Sequence, residues 1–162
     1  MNDYQFKIFE IICKISSVSD LSKYGATLTY GLTNYVAKYS LMNEEYFISK
    51  NAKTHIINNK WNLKPLRRGL KSKRNGFTYE HVIPSSYVSK LILKNPSEEN
   101  IKFLLKSTDL VIILTHQEHN SIPLKSKMPE NWRIGDNEWA RYNNTKIEIL
   151  DERVKMIGAV AR

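Results

Sequence analysis

Three side chains with metal-binding or proton-accepting chemistry lie in two short polar clusters that are far apart in the chain. Glu80 and His81 are neighbours inside the β-prone run 77–82. His119 lies in a second polar cluster, directly after the apolar run 110–114. A carboxylate and an imidazole can bind a divalent metal ion, and a second imidazole can accept a proton from water at neutral pH. The types of these residues therefore indicate metal-assisted hydrolysis.

The backbone around these clusters must bring the three side chains together. Neighbouring side chains of a strand point to opposite faces, so Glu80 and His81 can share one site only where the strand bends. Pro84 marks the end of regular pairing for this strand. Two strands followed by a short helix would then place Glu80, His81 and His119 around one site.

This arrangement resembles the HNH, or ββα-metal, nuclease family over residues 77–122. The first motif of that family is an acid followed by His, apolar residues and Pro, as in residues 80–84. The last motif begins a helix directly after a strand, as residues 114–120 do here. The resemblance implies an α+β fold, in which a mainly helical chain contains a ββα-metal unit. Two helices predicted between the strands form a helical insert in that unit.

His81 is the candidate general base, and Glu80 and His119 are the candidate metal ligands. A carboxylate with one imidazole suits Mg²⁺, with Mn²⁺ and Zn²⁺ as alternatives. Asn120 is the alternative ligand to His119. The middle motif of the family is usually an Asn that braces the loop carrying the base, and Asp109 lies near that place in this chain. Asp109 is therefore a candidate catalytic residue that orients His81, or else a strand residue with no such role.

The spacing of Thr115 and Glu118 predicts a capping box at the start of the last helix of this unit. It would place His119 in the first turn of a short helix that ends before Pro123. Capping accounts for Glu118 without a catalytic role. His116, at the first helical position, is expected to contact solvent, substrate or nothing.

Basic residues are concentrated in the segment that leads into Glu80. The chain has a net charge of +9, and residues 50–79 contain nine Lys or Arg and no Asp or Glu. A localised basic stripe is typical of phosphate binding, whereas solvated surfaces usually mix both signs. Arg133 and Arg141 either contact phosphate or form ion pairs with nearby acids. The candidate nucleic-acid-binding residues are Lys60, Lys64, Arg67, Arg68, Lys71, Lys73 and Arg74.

Hydrophobic spacing predicts helices over 3–18, with Asp3 as cap, over 20–40 and over 43–58. Further helices are predicted from residue 85 or 86, from Pro96 and from Asp151, and further strands over 110–114 and 146–150. Three regions follow from this order. They are a helical and basic DNA-contacting region (1–76), an HNH-like catalytic unit (77–122) and a C-terminal strand and helix that pack on the core (123–162).

The composition, with 41% hydrophobic and 25% charged residues, is ordinary for a globular protein. The sequence contains no run of about eighteen apolar residues, so no transmembrane helix is predicted. The first residues lack the basic start and the cleavage site of a signal peptide. Cys13 is the only cysteine, so an internal disulfide is not expected. These features predict a cytoplasmic protein without a membrane partner.

The function implied by the resemblance is metal-dependent hydrolysis of double-stranded DNA by an endonuclease. A restriction-type or other host-defence enzyme fits the helical and basic region ahead of the motif, and a palindromic target would call for a homodimer. Two alternatives are a non-specific nuclease toxin and a catalytically silent DNA-binding module.

Overall fold

A four-stranded mixed sheet organises the chain in the computed structural model, which describes residues 1–18, 21–58 and 77–155, with 21–28 as helical backbone only. The strands are β1 (Glu45–Ser49), β2 (Phe77–His81), β3 (Val111–Thr115) and β4 (Ile149–Lys155). They lie in the order β2-β3-β1-β4. β3 pairs antiparallel with β2 and parallel with β1, and β1 pairs antiparallel with β4. The predicted α+β class is confirmed.

Four helices pack against one another around one apolar cluster. They are α1 (Asp3–Ser16), α2 (Leu21–Ser40), α4 (Ser85–Lys94) and α5 (Glu98–Ser107). Their shared cluster includes Ile12, Leu32, Ile92 and Ile101, all fully buried. Full burial of such an aliphatic side chain contributes about 1.5–3 kcal/mol.

The two faces of the sheet are covered by different helices, because side chains alternate along each strand. On one face, α3 (Lys50–Asn58) packs against β1 and β3 through Ala52 and Ile56. The other face carries Ile112 and Leu114 of β3 and lies beside α6 (His116–Ser121). A 3₁₀ helix at Glu138–Tyr142 adds Tyr142 to the cluster on this second face.

Two predicted helices are wrong because sheet pairing determines their conformation. Residues 45–49, predicted as part of a helix over 43–58, form β1 between β3 and β4. Tyr46 and Ile48 are buried on the α3 face of the sheet, and the helix begins only at Lys50. The helix predicted from Asp151 is replaced by β4 up to Lys155, and its remaining residues lie outside the described part of the chain.

Two helix starts differ from the prediction by one or two residues. The cap of α1 is Asn2 rather than Asp3, and its side chain accepts a hydrogen bond of 2.9 Å from the N–H of Gln5. α5 begins after the cap Ser97 rather than at Pro96. The predicted helices over 3–18 and 20–40 agree with α1 and α2.

One sheet draws its strands from all three predicted regions. β1 comes from residues 1–76, β2 and β3 from 77–122, and β4 from 123–162. The pairing therefore connects parts of the chain that are far apart in sequence. Among the described residues, no helix combines the length and the apolar character needed to cross a lipid bilayer.

Candidate active site

β2 and α6 bring Glu80 and His119 into direct contact. The Nε2 atom of His119 lies 3.1 Å from Oε2 of Glu80. The side chains are 27% and 12% exposed, respectively, so solvent reaches the pair. α6 follows β3 without a loop, and β3 is hydrogen-bonded to β2, which places the helix beside Glu80.

The predicted capping box at the start of α6 is confirmed. The Thr115 hydroxyl accepts from the N–H of Glu118 at 3.2 Å, and the Glu118 carboxylate accepts from the N–H of Thr115 at 2.9 Å. Glu118 also accepts from the Ser49 hydroxyl at 2.7 Å and from the Asn51 amide at 3.1 Å. The buried carboxylate therefore connects α6 to β1 and α3 as well as capping its own helix.

We expect Glu118→Gln to lower the free energy of unfolding by about 1–3 kcal/mol, since the amide replaces an acceptor oxygen with a donor in a buried network. Chemical denaturation measures the loss. Glu130→Gln is the matched control, because Glu130 is exposed and its substitution should change stability by less than about 0.5 kcal/mol. Equal stability of both variants would contradict a structural role for the Glu118 contacts.

Arg141 is the third member of the cluster, and its partner was not predicted. Its Nη2 donates to Oε1 of Glu80 at 2.6 Å, and its side chain is fully buried. Its Nη1 donates to the backbone carbonyl of His81 at 3.0 Å. The partners predicted for Arg141 are nearby acids or phosphate. The aromatic residues Trp139 and Tyr142 on either side were a local indication of burial, but nothing local indicated an acid from β2.

His81 leaves β2 on the face opposite to Glu80. Glu80 and His81 are both paired regularly with β3, and the chain bends only after them, at residues 82 and 83. The Nε2 atom of His81 lies 3.0 Å from the carbonyl oxygen of Ala37 in α2. The structure therefore brings Glu80 and His119 together, and it places His81 beside α2.

The contact with Ala37 determines the tautomer of His81. Because a carbonyl oxygen only accepts, Nε2 carries the proton and Nδ1 keeps its lone pair. Burial lowers the pKa of His81 below its ordinary value of 6.5, against the opposing effects of the Ala37 hydrogen bond and the Glu80 charge. The positive charge of Arg141 lowers the pKa further. His81 is thus a neutral imidazole at pH 7, with Nδ1 as its basic atom.

Asp109 does not occupy the position expected of an orienting residue. The carbonyl of Ala37, and not the Asp109 carboxylate, accepts the hydrogen bond from Nε2 of His81. Asp109 instead lines a polar cleft of about 330 Å³ that includes Arg153, and burial raises the pKa of its carboxyl. Its backbone carbonyl accepts from the side chain of Asn43 at 2.5 Å.

Two further polar residues of α6 have different surroundings. The Nδ1 atom of His116 lies 3.0 Å from the Thr78 hydroxyl, so a contact with β2 replaces the expected solvent or substrate contact. The Nε2 atom of His116 is buried without a hydrogen-bond partner. Asn120, the alternative ligand, is exposed and faces Lys125 at 3.5 Å. The geometry favours His119 over Asn120 as the partner of Glu80.

The basic segment is only partly described. Lys50 forms an ion pair of 3.0 Å with Glu148, and Lys53 forms one of 2.6 Å with Glu152 in β4. These acids lie far along the chain, so counting charges within residues 50–79 missed them. The remaining seven cations lie outside the described residues, namely Lys60, Lys64, Arg67, Arg68, Lys71, Lys73 and Arg74.

The distance between Glu80 and His119 is that of a direct hydrogen bond, and it is also compatible with two ligand atoms of one small divalent ion. Two ligand atoms at a right angle and about 2.1 Å from an octahedral ion lie about 3.0 Å apart, and the observed separation is 3.1 Å. In the described part of the chain, no three His, Cys, Asp or Glu side chains converge. Glu80 and His119 would therefore supply two ligands and leave the others to water and substrate, as is usual for Mg²⁺.

No protein-family model, curated protein or solved structure matches this chain.

Proposed function

We propose that this chain is a metal-dependent endonuclease of the HNH type that hydrolyses phosphodiester bonds in double-stranded DNA. The observation that carries the proposal is the 3.1 Å contact between Glu80 Oε2 and His119 Nε2. The order of elements supports it, since β2 and β3 are antiparallel and α6 follows β3 directly, as a ββα unit would require. In this proposal α4 and α5 are the helical insert between the two strands.

Glu80 and His119 are the proposed ligands of one Mg²⁺ ion, with Mn²⁺ and Zn²⁺ as alternatives. When bound, such an ion neutralises charge on the phosphate and stabilises the leaving oxygen. Arg141 holds the Glu80 carboxylate through Oε1, so Oε2 is directed towards His119. The capping box positions His119 by fixing the first turn of α6.

His81 is the proposed general base. In phosphoryl transfer the attacking and leaving oxygens lie roughly in line, on opposite sides of phosphorus. Glu80 and His81 leave β2 towards opposite faces, and the chain bends directly after them at residues 82 and 83. A phosphate bound at this bend would lie between the ligand and the base. The carbonyl of Ala37 keeps the proton on Nε2, so Nδ1 accepts the proton from the attacking water.

The seven cations at 60–74 are the proposed contacts to the DNA backbone. They directly precede β2 in the chain, which tethers them to the strand that carries Glu80 and His81. Charge reversal at Lys64, Arg67 and Arg68 should weaken DNA binding. The slope of the logarithm of the binding constant against the logarithm of the salt concentration should fall by about one for each lost phosphate contact. Charge reversal at Lys50 is the control, because that cation has Glu148 as its partner.

A DNA-binding module without cleavage is the second candidate, and one observation favours it. Both carboxylate oxygens of Glu80 have partners within the protein, Arg141 and His119. Such a network also has a structural use, because a buried guanidinium needs an anion. Restriction-type cutting and toxin-like degradation differ in sequence preference, for which the described residues provide no discriminating contact.

Digestion of a plasmid tests the proposal. We expect cleavage with Mg²⁺ or Mn²⁺, none with chelator, and none with Glu80→Gln or His119→Ala. His55→Ala is the control, since His55 is exposed and contacts the ring of Phe77 away from the pair. Discrete fragments indicate a restriction-type enzyme and a smear indicates a toxin. A mobility shift without cleavage supports the binding module. The absence of both a mobility shift and cleavage contradicts the proposal.

The pH dependence of cleavage follows from the lowered pKa of His81. The base must be neutral, so we expect kcat/KM to fall only below pH 6.5, as His81 becomes protonated in the free enzyme. The free energy of unfolding should also fall as the pH falls. The pKa of His81 is lower in the folded than in the unfolded chain, so protonation favours the unfolded chain. Initial rates from pH 5 to 8 at saturating Mg²⁺ measure this fall of kcat/KM on the acidic side of the pH profile. A midpoint above 6.5 would show that another group limits the reaction.

A further inference from the structure

Arg141 blocks one of the two oxygens of Glu80. Its Nη2 lies 2.6 Å from Oε1, whereas Oε2 faces His119 at 3.1 Å. The guanidinium is held from its other side as well, because Nη1 donates to the carbonyls of His81 at 3.0 Å and Val82 at 3.5 Å. A fully buried cation with these bonds cannot turn away without losing several of them at once.

A carboxylate with one blocked oxygen is a monodentate ligand, and divalent ions differ in how they tolerate this. Ca²⁺ takes six to eight oxygen ligands at about 2.3–2.6 Å and often binds both oxygens of one carboxylate. Mg²⁺ is smaller, takes six ligands at about 2.0–2.1 Å and commonly uses one oxygen of a carboxylate. The pair of Oε2 and an imidazole nitrogen therefore suits Mg²⁺ or Mn²⁺ better than Ca²⁺.

We propose that Arg141 is a specificity-determining residue for the metal ion, because it makes Glu80 a one-oxygen ligand and so disfavours Ca²⁺. This inference rests on the proposed function, since it requires Glu80 and His119 to bind an ion. His119 contributes to the same preference through its nitrogen donor. The contribution of Arg141 is separable, because replacing it frees Oε1 and leaves His119 in place.

Metal binding without DNA measures the effect directly. Electron paramagnetic resonance of free Mn²⁺ gives the Mn²⁺ affinity, and competition gives the Ca²⁺ affinity. We expect the preference of the wild-type protein for Mn²⁺ over Ca²⁺ to fall about tenfold or more in Arg141→Met, a typical effect of removing a group that orients a ligand. Arg141→Lys keeps a cation on Glu80 and should retain part of the preference. An unchanged ratio in a folded Arg141→Met protein overturns the inference.

A second measurement needs no Arg141 variant. Infrared difference spectra of ¹³C-glutamate-labelled protein, with and without Mg²⁺, report how the carboxylate binds, and the Glu80→Gln protein identifies the Glu80 bands. A wide separation between the asymmetric and symmetric carboxylate stretching bands, as for a monodentate carboxylate, supports the inference even if Arg141→Met does not fold. A narrow separation between these two bands, as for a bidentate carboxylate, overturns the inference. If the wild-type protein binds Mn²⁺ no better than Glu80→Gln does, the proposed function itself fails.

Discussion

His81→Ala is expected to lower the turnover of DNA cleavage by about 10²–10⁴-fold, the usual contribution of a general base, while DNA binding is retained. The reason is the single basic atom of this side chain, since Nε2 is occupied by the carbonyl of Ala37 and only Nδ1 can accept a proton. Single-turnover cleavage at pH 7.5 with saturating Mg²⁺ measures the chemical step. Fluorescence anisotropy with chelated metal measures binding.

Three controls separate a catalytic role of His81 from a structural one. His81→Gln can still donate to Ala37 but has no basic nitrogen, so it should be as inactive as His81→Ala. Added imidazole should restore part of the activity of His81→Ala, which a purely structural loss would not allow. His55→Ala, outside the cluster, should cleave like the wild-type protein. Undiminished cleavage by His81→Ala would remove this residue from the mechanism.

Arg141→Met is expected to lower the free energy of unfolding by about 3–5 kcal/mol, the usual cost of breaking a buried ion pair. The substitution leaves the Glu80 carboxylate, which is only 12% exposed, without its closest cation. It also removes the donor to the carbonyl of His81. Urea denaturation measures the loss.

The matched control for Arg141→Met is Arg133→Met, because Arg133 is exposed and its substitution should cost less than about 0.5 kcal/mol. The double variant Arg141→Met with Glu80→Gln should lose less than the sum of the two single losses, since neither charge then remains unpaired. A loss below about 1 kcal/mol in Arg141→Met, or strict additivity, would mean that the pair is not a structural unit.

Features that depend on neighbouring residues were predictable from the sequence. The capping box of Thr115 and Glu118 joins residues three positions apart, and α1 and α2 follow from helical spacing of apolar residues. The strand at 110–114 was predicted from its continuous apolar run and agrees with β3 to within one residue. Each of these features needs no partner from a distant part of the chain.

Features that depend on distant partners were not predictable. Residues 45–49 include Tyr46, Phe47 and Ile48, whose types favour a strand but whose spacing also fitted the helix predicted over 43–58, and pairing with β3 and β4 determined the strand. The same holds for β4, which was predicted to become a helix at Asp151. Lys50 and Lys53 were counted as free cations, because their acids in the C-terminal part are invisible to a local count.

Residue types and spacing were enough to identify Glu80, His81 and His119 as candidate site residues, together with the capping box that precedes His119. Their partners are set by the folded chain, and they are Arg141 for Glu80 and Ala37 for His81. The physical reason is that a buried charge or imidazole must find its hydrogen-bond partner in space, and here those partners lie 61 and 44 residues away along the chain.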